Sequence, residues 1–143
     1  MQSTGLQPFH LAIPVTDIET ARTFYVDILG CSPARESSRW IDFDFFGHQL
    51  SAHVVDDHDF VVPYNMVDGK QIPVRHFGIV MDWDDWLVFC ENLEYIGIDF
   101  LVAPTIRFRD QPGEQATLFI EDPSGNALEF KAFRDYRRLF SKD

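Results

Sequence analysis

The sequence predicts an α+β fold in which a single domain is built from two successive β-α-β-β-β modules. A short apolar strand that begins near a histidine and leads into an amphipathic helix occurs twice. The glycine that closes each helix lies at nearly the same distance from that histidine: His10 precedes Gly30 by 20 residues, and His76 precedes Gly97 by 21. Within the single domain 1–143, the predicted divisions are module 1 at about 7–60, a linker at about 61–72, module 2 at about 73–134 and a C-terminal tail at 135–143.

The first module opens with the strand HLAIPV, which is short, apolar and bounded by turn-forming residues. A helix is predicted next, because Thr16 stands three residues before Glu19, the spacing of a capping box, and Gly30 ends the apolar face that follows. After a polar loop, RWIDFDFFG alternates apolar and acidic residues as a half-buried strand does. Gly47 then turns the chain into QLSAHVV, the second strand of a hairpin.

The second module repeats this order. VRHFGIVMD is a predicted strand, DWDDWLVFCENLEYI is a predicted helix, and Gly97 closes it. Three strands follow, at IDFLVAPTIRF, EQATLFIE and NALEFKAF, and the sequence DPSG between the last two suits a type I turn. The connecting stretch VVPYNMVDGKQIP has neither a helical nor a strand period, so we predict an irregular linker there.

Composition and charge narrow the class of protein. The 143 residues are 45% hydrophobic, as in a packed globular protein, and no apolar run approaches the length of a spanning helix. The formal charge of −11 repels phosphate backbones and anionic lipid, so nucleic acid and membrane are not expected partners. The two cysteines lack CxxC spacing and are typical of reduced thiols. We therefore expect a soluble cytoplasmic protein.

Three residues are candidate metal ligands. His10 and His76 begin equivalent strands of the two modules, and Glu129 lies in the last strand between two apolar residues. Two imidazoles and one carboxylate are the donor set of the facial triad that binds ferrous iron or manganese. Two alternatives stay open on spacing alone: ordinary hydrogen bonds to both histidines, and a Glu129 that faces solvent on a one-sided sheet.

Three separated segments, HLAIPVTDIETARTFYVDILG, HFGIV and DPSGNALEF, resemble the vicinal oxygen chelate superfamily of glyoxalases, extradiol dioxygenases and bleomycin-resistance proteins. WIDFDFFGHQLSAHV, IPVRHFGIV and PGEQATLFIEDPSGNALEFKAF are similar to its branch of small predicted extradiol dioxygenases. The resemblance covers nearly the whole chain. It implies that the two modules form an eight-stranded, open barrel-like sheet around a concave metal site, with His10, His76 and Glu129 as ligands.

The resemblance also implies a cofactor and a reaction. The expected cofactor is a divalent metal ion, with Fe²⁺ favoured over Mn²⁺, Ni²⁺ or Zn²⁺, and the expected substrate is a catechol or another compound with two neighbouring oxygens. The alternatives are a glyoxalase-type isomerase or lyase with a redox-silent metal, and a metal-free resistance protein that binds a small molecule. Many small members of the superfamily pair as dimers, so the resemblance implies a homodimer.

A fourth ligand is harder to assign. Gln49, Ser51 and His53 share one face of their strand, and of these only His53 is a good ligand for a borderline metal. Counting from the preceding glycine, as in GNALE, reaches Ser51 instead. His53 is therefore a candidate fourth ligand, with a contact to substrate or to another ligand as the alternative.

Three further residues are candidates for the reaction itself. Arg107 and Gln115 flank the loop FRDQPGEQ, where a guanidinium would pair with an anionic substrate or offset Asp110 or Glu114. Tyr64 is a candidate proton donor in the site, or equally a linker side chain that packs on the sheet.

Overall fold

The computed structural model describes residues 5–56 and 62–142, and within them the chain forms ten strands and two α-helices. The strands are β1 (His10–Val15), β2 (Ser32–Glu36), β3 (Trp40–Phe45), β4 (His48–Val54), β5 (Tyr64–Val67), β6 (Lys70–Pro73), β7 (His76–Met81), β8 (Val102–Arg107), β9 (Gln115–Glu121) and β10 (Ala127–Phe133). The helices are α1 (Ile18–Arg22), which continues as a π-helical segment (Thr23–Ile28), α2 (Trp83–Ile96) and a 3-10 turn (Tyr136–Arg138). Neither α-helix is long and apolar enough to cross a membrane, as judged over the described residues.

The chain divides into two compact units with the same sheet topology. The first comprises Met1–Phe60 and Asp122–Asn126, and the second comprises Val61–Glu121 and Ala127–Asp143. The sheet of the first unit has the order β1-β4-β3-β2, and that of the second has the order β7-β10-β9-β8. The pairs β1–β4 and β7–β10 are parallel, and the other strand pairs of these two sheets are antiparallel. The repeated β-α-β-β-β order is confirmed.

The prediction of one eight-stranded sheet is corrected. The eight strands form two separate four-stranded sheets, and β5 and β6 form a third sheet of two strands. The sequence pattern specifies which strands are half-buried but not where hydrogen bonding between strands stops, so it does not distinguish one sheet from two.

Helix α1 begins one residue later than predicted. Its N-cap is Asp17, whose backbone is extended (φ −158°) and whose carboxylate accepts a hydrogen bond of 2.8 Å from the Thr20 amide. The predicted cap, Thr16, instead accepts no helix amide among the described contacts, and its own amide donates to Ser124 Oγ at 2.9 Å. Asp and Thr are both good N-caps, so the choice depends on which residue adopts the extended backbone.

The core of the first unit lies between its sheet and the helical segment after β1. The Tyr25 ring is fully buried, with its centre 5.1 Å from that of Phe43 and 6.4 Å from that of Phe45. Alternate residues of β3 and β4 point toward this helix, as the period of two requires. Among the described residues of this unit, the buried apolar side chains are Ile13, Val15, Ala21, Phe24, Tyr25, Leu29, Cys31, Ile41, Phe43, Phe45, Leu50 and Ala52.

The turn at Asp122 is built around a buried carboxylate. The Gly125 amide donates to the Asp122 carbonyl at 3.1 Å, which confirms the predicted turn. The Asp122 carboxylate accepts hydrogen bonds from the Ser124 and Asn126 amides through Oδ1, and from Asn126 Nδ2 and the Tyr25 hydroxyl through Oδ2. Four donors offset the cost of burying this group, which is 4% exposed.

Two segments predicted to be irregular are strands. The polar loop after the first helix contains β2, an edge strand whose five residues are all exposed and which pairs with β3 through a bulge. The linker contains the hairpin β5–β6, which turns at Asp68 (φ 50°) and Gly69 (φ 78°). Positive φ at both central residues is typical of the two-residue hairpin turn that Asp-Gly favours. The predicted division near residue 60 lies outside the described residues.

The second unit packs α2 against one face of its sheet. Gly97 ends the helix in the left-handed conformation (φ 87°), as predicted. Trp86 Nε1 donates to the Phe130 carbonyl at 2.8 Å, and the Phe89 ring centre lies 4.5 Å from that of Phe130. Because side chains alternate along a strand, the face of β10 that carries Glu129 points away from α2.

Candidate metal centre

One face of the second sheet carries chemically active side chains, and we call it the polar face. The register of four adjacent strands places these side chains on the polar face. Glu129 of β10 lies between Gly78 of β7 and Phe119 of β9. Lys131 of β10 lies beside Thr117 of β9, and Arg107 of β8 lies beside Gln115 of β9. His76 opens β7 on the same face, one row from Glu129. The polar face therefore comprises His76, Arg107, Gln115, Thr117, Glu129 and Lys131.

His76 and Glu129 are in direct contact. His76 Nε2 lies 3.2 Å from Glu129 Oε1, and His76 Nδ1 lies 2.7 Å from the Pro73 carbonyl. A carbonyl only accepts, so Nδ1 carries a proton; Nε2 donates to Glu129 when the imidazole is protonated and carries the lone pair when it is neutral. A metal-binding histidine is oriented in this way, with its second nitrogen donating to a carbonyl.

Glu129 is held by a second donor, since its Oε2 accepts a hydrogen bond of 2.5 Å from the Thr117 hydroxyl. Burial raises the pKa of Glu129, but the hydrogen bonds from His76 and Thr117 and the charge of Lys131 outweigh it, and the net shift is downward. The hydrogen bond to Glu129 is the main reason why the pKa of His76 is raised. An ionised carboxylate next to an oriented imidazole is a donor pair that fits a divalent metal.

Gly78 lets the two strands approach closely at this point. A side-chain Cβ at position 78 would overlap the backbone carbonyl of Glu129. The glycine is therefore required by the packing of β7 on β10, next to the candidate ligand.

The first unit holds its histidine in a similar way. His10 opens β1, is exposed, and its Nδ1 lies 2.8 Å from Gln49 Oε1. Ala12, two residues after His10, pairs with Ser51, just as Gly78, two residues after His76, pairs with Glu129. Ser51 therefore occupies the position equivalent to Glu129.

His53 lies one row farther along β4, beside Pro14 and Trp40, and its side chain is exposed. The Ser51 hydroxyl donates to Asp42 Oδ1 at 2.6 Å. His53 as a fourth ligand stays a prediction, and its register differs from that of Glu129 in the second unit.

The structure brings two of the three predicted ligands together. His76 and Glu129 are neighbours in the second unit, and His10 belongs to the first. Over residues 5–56 and 62–142, no group of three or more His, Cys, Asp or Glu side chains is arranged to hold a metal ion. The complete triad stays a prediction.

Arg107 has a partner that sequence reasoning missed. Its Nε donates to Asp68 Oδ2 at 2.7 Å, and its guanidinium carbon lies 4.8 Å from the centre of the Phe108 ring. The expected alternatives were Asp110 and Glu114; Asp68 reaches Arg107 because it sits at the turn of the unpredicted hairpin β5–β6.

Gln115 and Tyr64, the other two residues predicted to take part in the reaction, differ in exposure to solvent. Gln115 lies across from Arg107 on the polar face and donates to the Gly113 carbonyl at 3.4 Å. Tyr64 lies in β5 opposite Pro73 with 58% of its surface exposed. Their predicted roles in substrate binding and proton transfer stay predictions.

The chain belongs to the Glyoxalase/Bleomycin resistance protein/Dioxygenase superfamily, which is the vicinal oxygen chelate superfamily, because the sequence profile of that family matches residues 7–130. Among curated proteins, none matches the chain significantly.

Solved structures match the chain over most of its length. A glyoxalase/bleomycin resistance protein/dioxygenase from Alicyclobacillus acidocaldarius is 38% identical, with 94% of this chain and 96% of that chain covered and a TM-score of 0.78. A lactoylglutathione lyase from Agrobacterium tumefaciens is 16% identical (91% and 96% covered, TM-score 0.61), and the fosfomycin resistance protein FosX from Listeria monocytogenes is 16% identical (96% and 100% covered, TM-score 0.62). At that identity the last two share the fold alone.

Proposed function

We propose that this protein is a metal-dependent vicinal oxygen chelate enzyme whose ligands are His10, His76 and Glu129. The observation that carries the proposal is the contact of 3.2 Å between His76 Nε2 and Glu129 Oε1, with His76 Nδ1 donating to the Pro73 carbonyl. With Nδ1 committed to the Pro73 carbonyl, Nε2 is the ring nitrogen that would coordinate a metal, and it lies beside a carboxylate oxygen of a second candidate ligand.

The chain's own residues orient the ligands. Pro73 sets the ring position of His76, Thr117 fixes one carboxylate oxygen of Glu129, and Gln49 engages Nδ1 of His10. A bound divalent metal supplies Lewis acidity and lowers the pKa of a coordinated hydroxyl group. Two neighbouring oxygens on a substrate are suited to such a centre because they chelate it.

Within this class we favour an extradiol-dioxygenase-like reaction with Fe²⁺ and a catecholic substrate. The support is the number of protein ligands. Ser51, the register equivalent of Glu129, is a poor metal ligand, and its hydroxyl already donates to Asp42. Three protein ligands leave more positions open than four, as a metal that binds both a substrate and dioxygen requires.

The test is to load the protein with ferrous iron under anaerobic conditions, measure metal per chain, and follow oxygen uptake on a panel of catechols. We expect about one iron per chain in the wild type, and at least a tenfold weaker affinity in H10A and in E129Q, since mutation of ligands and their partners costs at least this much. Glu91→Gln, an exposed change on α2, is the matched control and should bind as the wild type does.

The outcomes separate the candidate functions. If iron binds E129Q as tightly as it binds the wild type, the metal-centre proposal is wrong. If metal binds but no catechol consumes oxygen, while Ni²⁺ or Zn²⁺ supports turnover of a hemithioacetal, the protein is an isomerase or lyase. If His53→Ala also loses metal, the site has four protein ligands and the dioxygenase proposal loses its support.

A further inference from the structure

Lys131 is a cation on the polar face that the proposed metal centre does not use. It lies two residues after Glu129 on β10, so both side chains point to the same face. Its ammonium is 4.0 Å from Glu129 Oε2 and 5.9 Å from the centre of the Phe133 ring, and 31% of the side chain is exposed. In the part of the chain described here, Lys131 forms no shorter contact with an acidic side chain.

Glu129 is not a sufficient partner for this cation. Its Oε1 faces His76 at 3.2 Å and its Oε2 accepts from Thr117 at 2.5 Å, so the two short contacts of the carboxylate are made elsewhere. A distance of 4.0 Å is at the limit of an ion pair and too long for a hydrogen bond. The ammonium therefore keeps hydrogen-bonding capacity that faces the same space as the carboxylate.

The other cation of the polar face differs in this respect. Arg107 is paired with Asp68 at 2.7 Å and stacks on Phe108, so its charge is already compensated. Lys131, in contrast, stands directly beside a candidate metal ligand in a chain of net charge −11. A half-buried ammonium next to a chelating centre is suited to bind an oxyanion of the molecule that the centre chelates.

We propose that Lys131 binds an anionic group of the substrate, so that the site takes a carboxylated vicinal-oxygen compound in preference to its uncharged counterpart. This inference rests on the proposed function, because the preference is for ligands that chelate the metal at Glu129. It assigns specificity to Lys131 and narrows the substrate class from catechols in general to catechol carboxylates and related anionic chelators.

The test is calorimetric binding to the zinc-loaded protein, which does not turn the ligands over, with catechol and its two monocarboxylates as probes. We expect the wild type to bind one of the carboxylates about tenfold more tightly than catechol, as a charge-assisted hydrogen bond provides. Lys131→Met, which keeps the apolar stem, should abolish this ratio; because the ratio is taken within one variant, a change in affinity common to catechol and its carboxylates does not affect it. Lys131→Arg should retain the ratio, and Lys142→Met, an exposed change in the tail, should match the wild type.

Metal content, measured on the same samples, separates the two proposals. One zinc per chain with an equal affinity for catechol and both carboxylates overturns the role of Lys131 alone, as does a ratio that survives Lys131→Met. Failure of the wild type to bind zinc overturns the proposed metal centre and this inference with it.

Discussion

The hydrogen bond between Tyr25 and Asp122 is a measurable part of the stability of the first unit. The Tyr25 hydroxyl donates to Asp122 Oδ2 at 2.8 Å, and both side chains are buried. Tyr25→Phe removes this donor without removing apolar area, and three other donors to the carboxylate remain. A hydrogen bond to a charged group contributes about 1.5 to 3 kcal/mol, so we expect a loss of about 2 kcal/mol.

Urea unfolding followed by tryptophan fluorescence measures this loss, and thermal unfolding should show a fall in Tm of about 7 °C for a chain of this size. Tyr95→Phe is the matched control, because Tyr95 is 93% exposed and should change stability by less than about 0.5 kcal/mol. If Tyr25→Phe is as stable as the control, the buried carboxylate does not depend on the hydroxyl, and the reasoning from donor count is wrong.

Four further outcomes are expected. Gly78→Ala should cost about 3 kcal/mol and weaken metal binding, because its Cβ would overlap the Glu129 carbonyl, whereas Gly113→Ala, with open space around it, should be nearly neutral in urea unfolding. In the chelator-treated protein, NMR titration should give His76 a pKa above 6.5, so its contribution to stability is present below pH 6.5 and is lost as the pH rises through the raised pKa; E129Q should lower that pKa. Burial raises the pKa of Cys31 to about 12, so at about pH 8 its thiol should react with a disulfide reagent far more slowly than in the urea-unfolded chain, and equal rates would contradict its burial. Light scattering at micromolar concentration should give the mass of a homodimer, and a monodisperse monomer would exclude it.

The sequence correctly predicts the elements in which the spacing of apolar residues and the residues that end the element indicate the same structure. In α2, apolar residues recur at helical spacing, and Gly97 supplies the left-handed residue that ends the helix. In β3, buried Ile41, Phe43 and Phe45 alternate with acidic residues. Each of these patterns depends on contacts within one element and the core beside it, so the residues of that element are sufficient to predict it.

The missed strands lack that local signal. All five residues of β2 are exposed, so the edge of the sheet imposes no apolar alternation on them. In the β5–β6 hairpin only the turn is informative: Asp68-Gly69 is a strong hairpin signal, but the strands beside it are short and largely exposed. The partner of Arg107 was missed for the same reason, because Asp68 comes near Arg107 only when that hairpin forms.

In the candidate site, the sequence alone does not decide whether Ser51 or His53 is the equivalent of Glu129. Residue chemistry favours His53 as a ligand, and residue counting from the preceding glycine favours Ser51; the sequence offers no means to weigh one against the other. The parallel pairing of β1 with β4 shows that Ser51 is the register equivalent of Glu129, because Ala12 lies beside Ser51 as Gly78 lies beside Glu129. A one-residue difference in a strand reverses the face, whereas a two-residue difference keeps the face and moves the side chain by about 6.8 Å along the strand. His53 is therefore not the register equivalent of Glu129, and Ser51, which is that equivalent, is a poor metal ligand; this supports the proposal of three protein ligands.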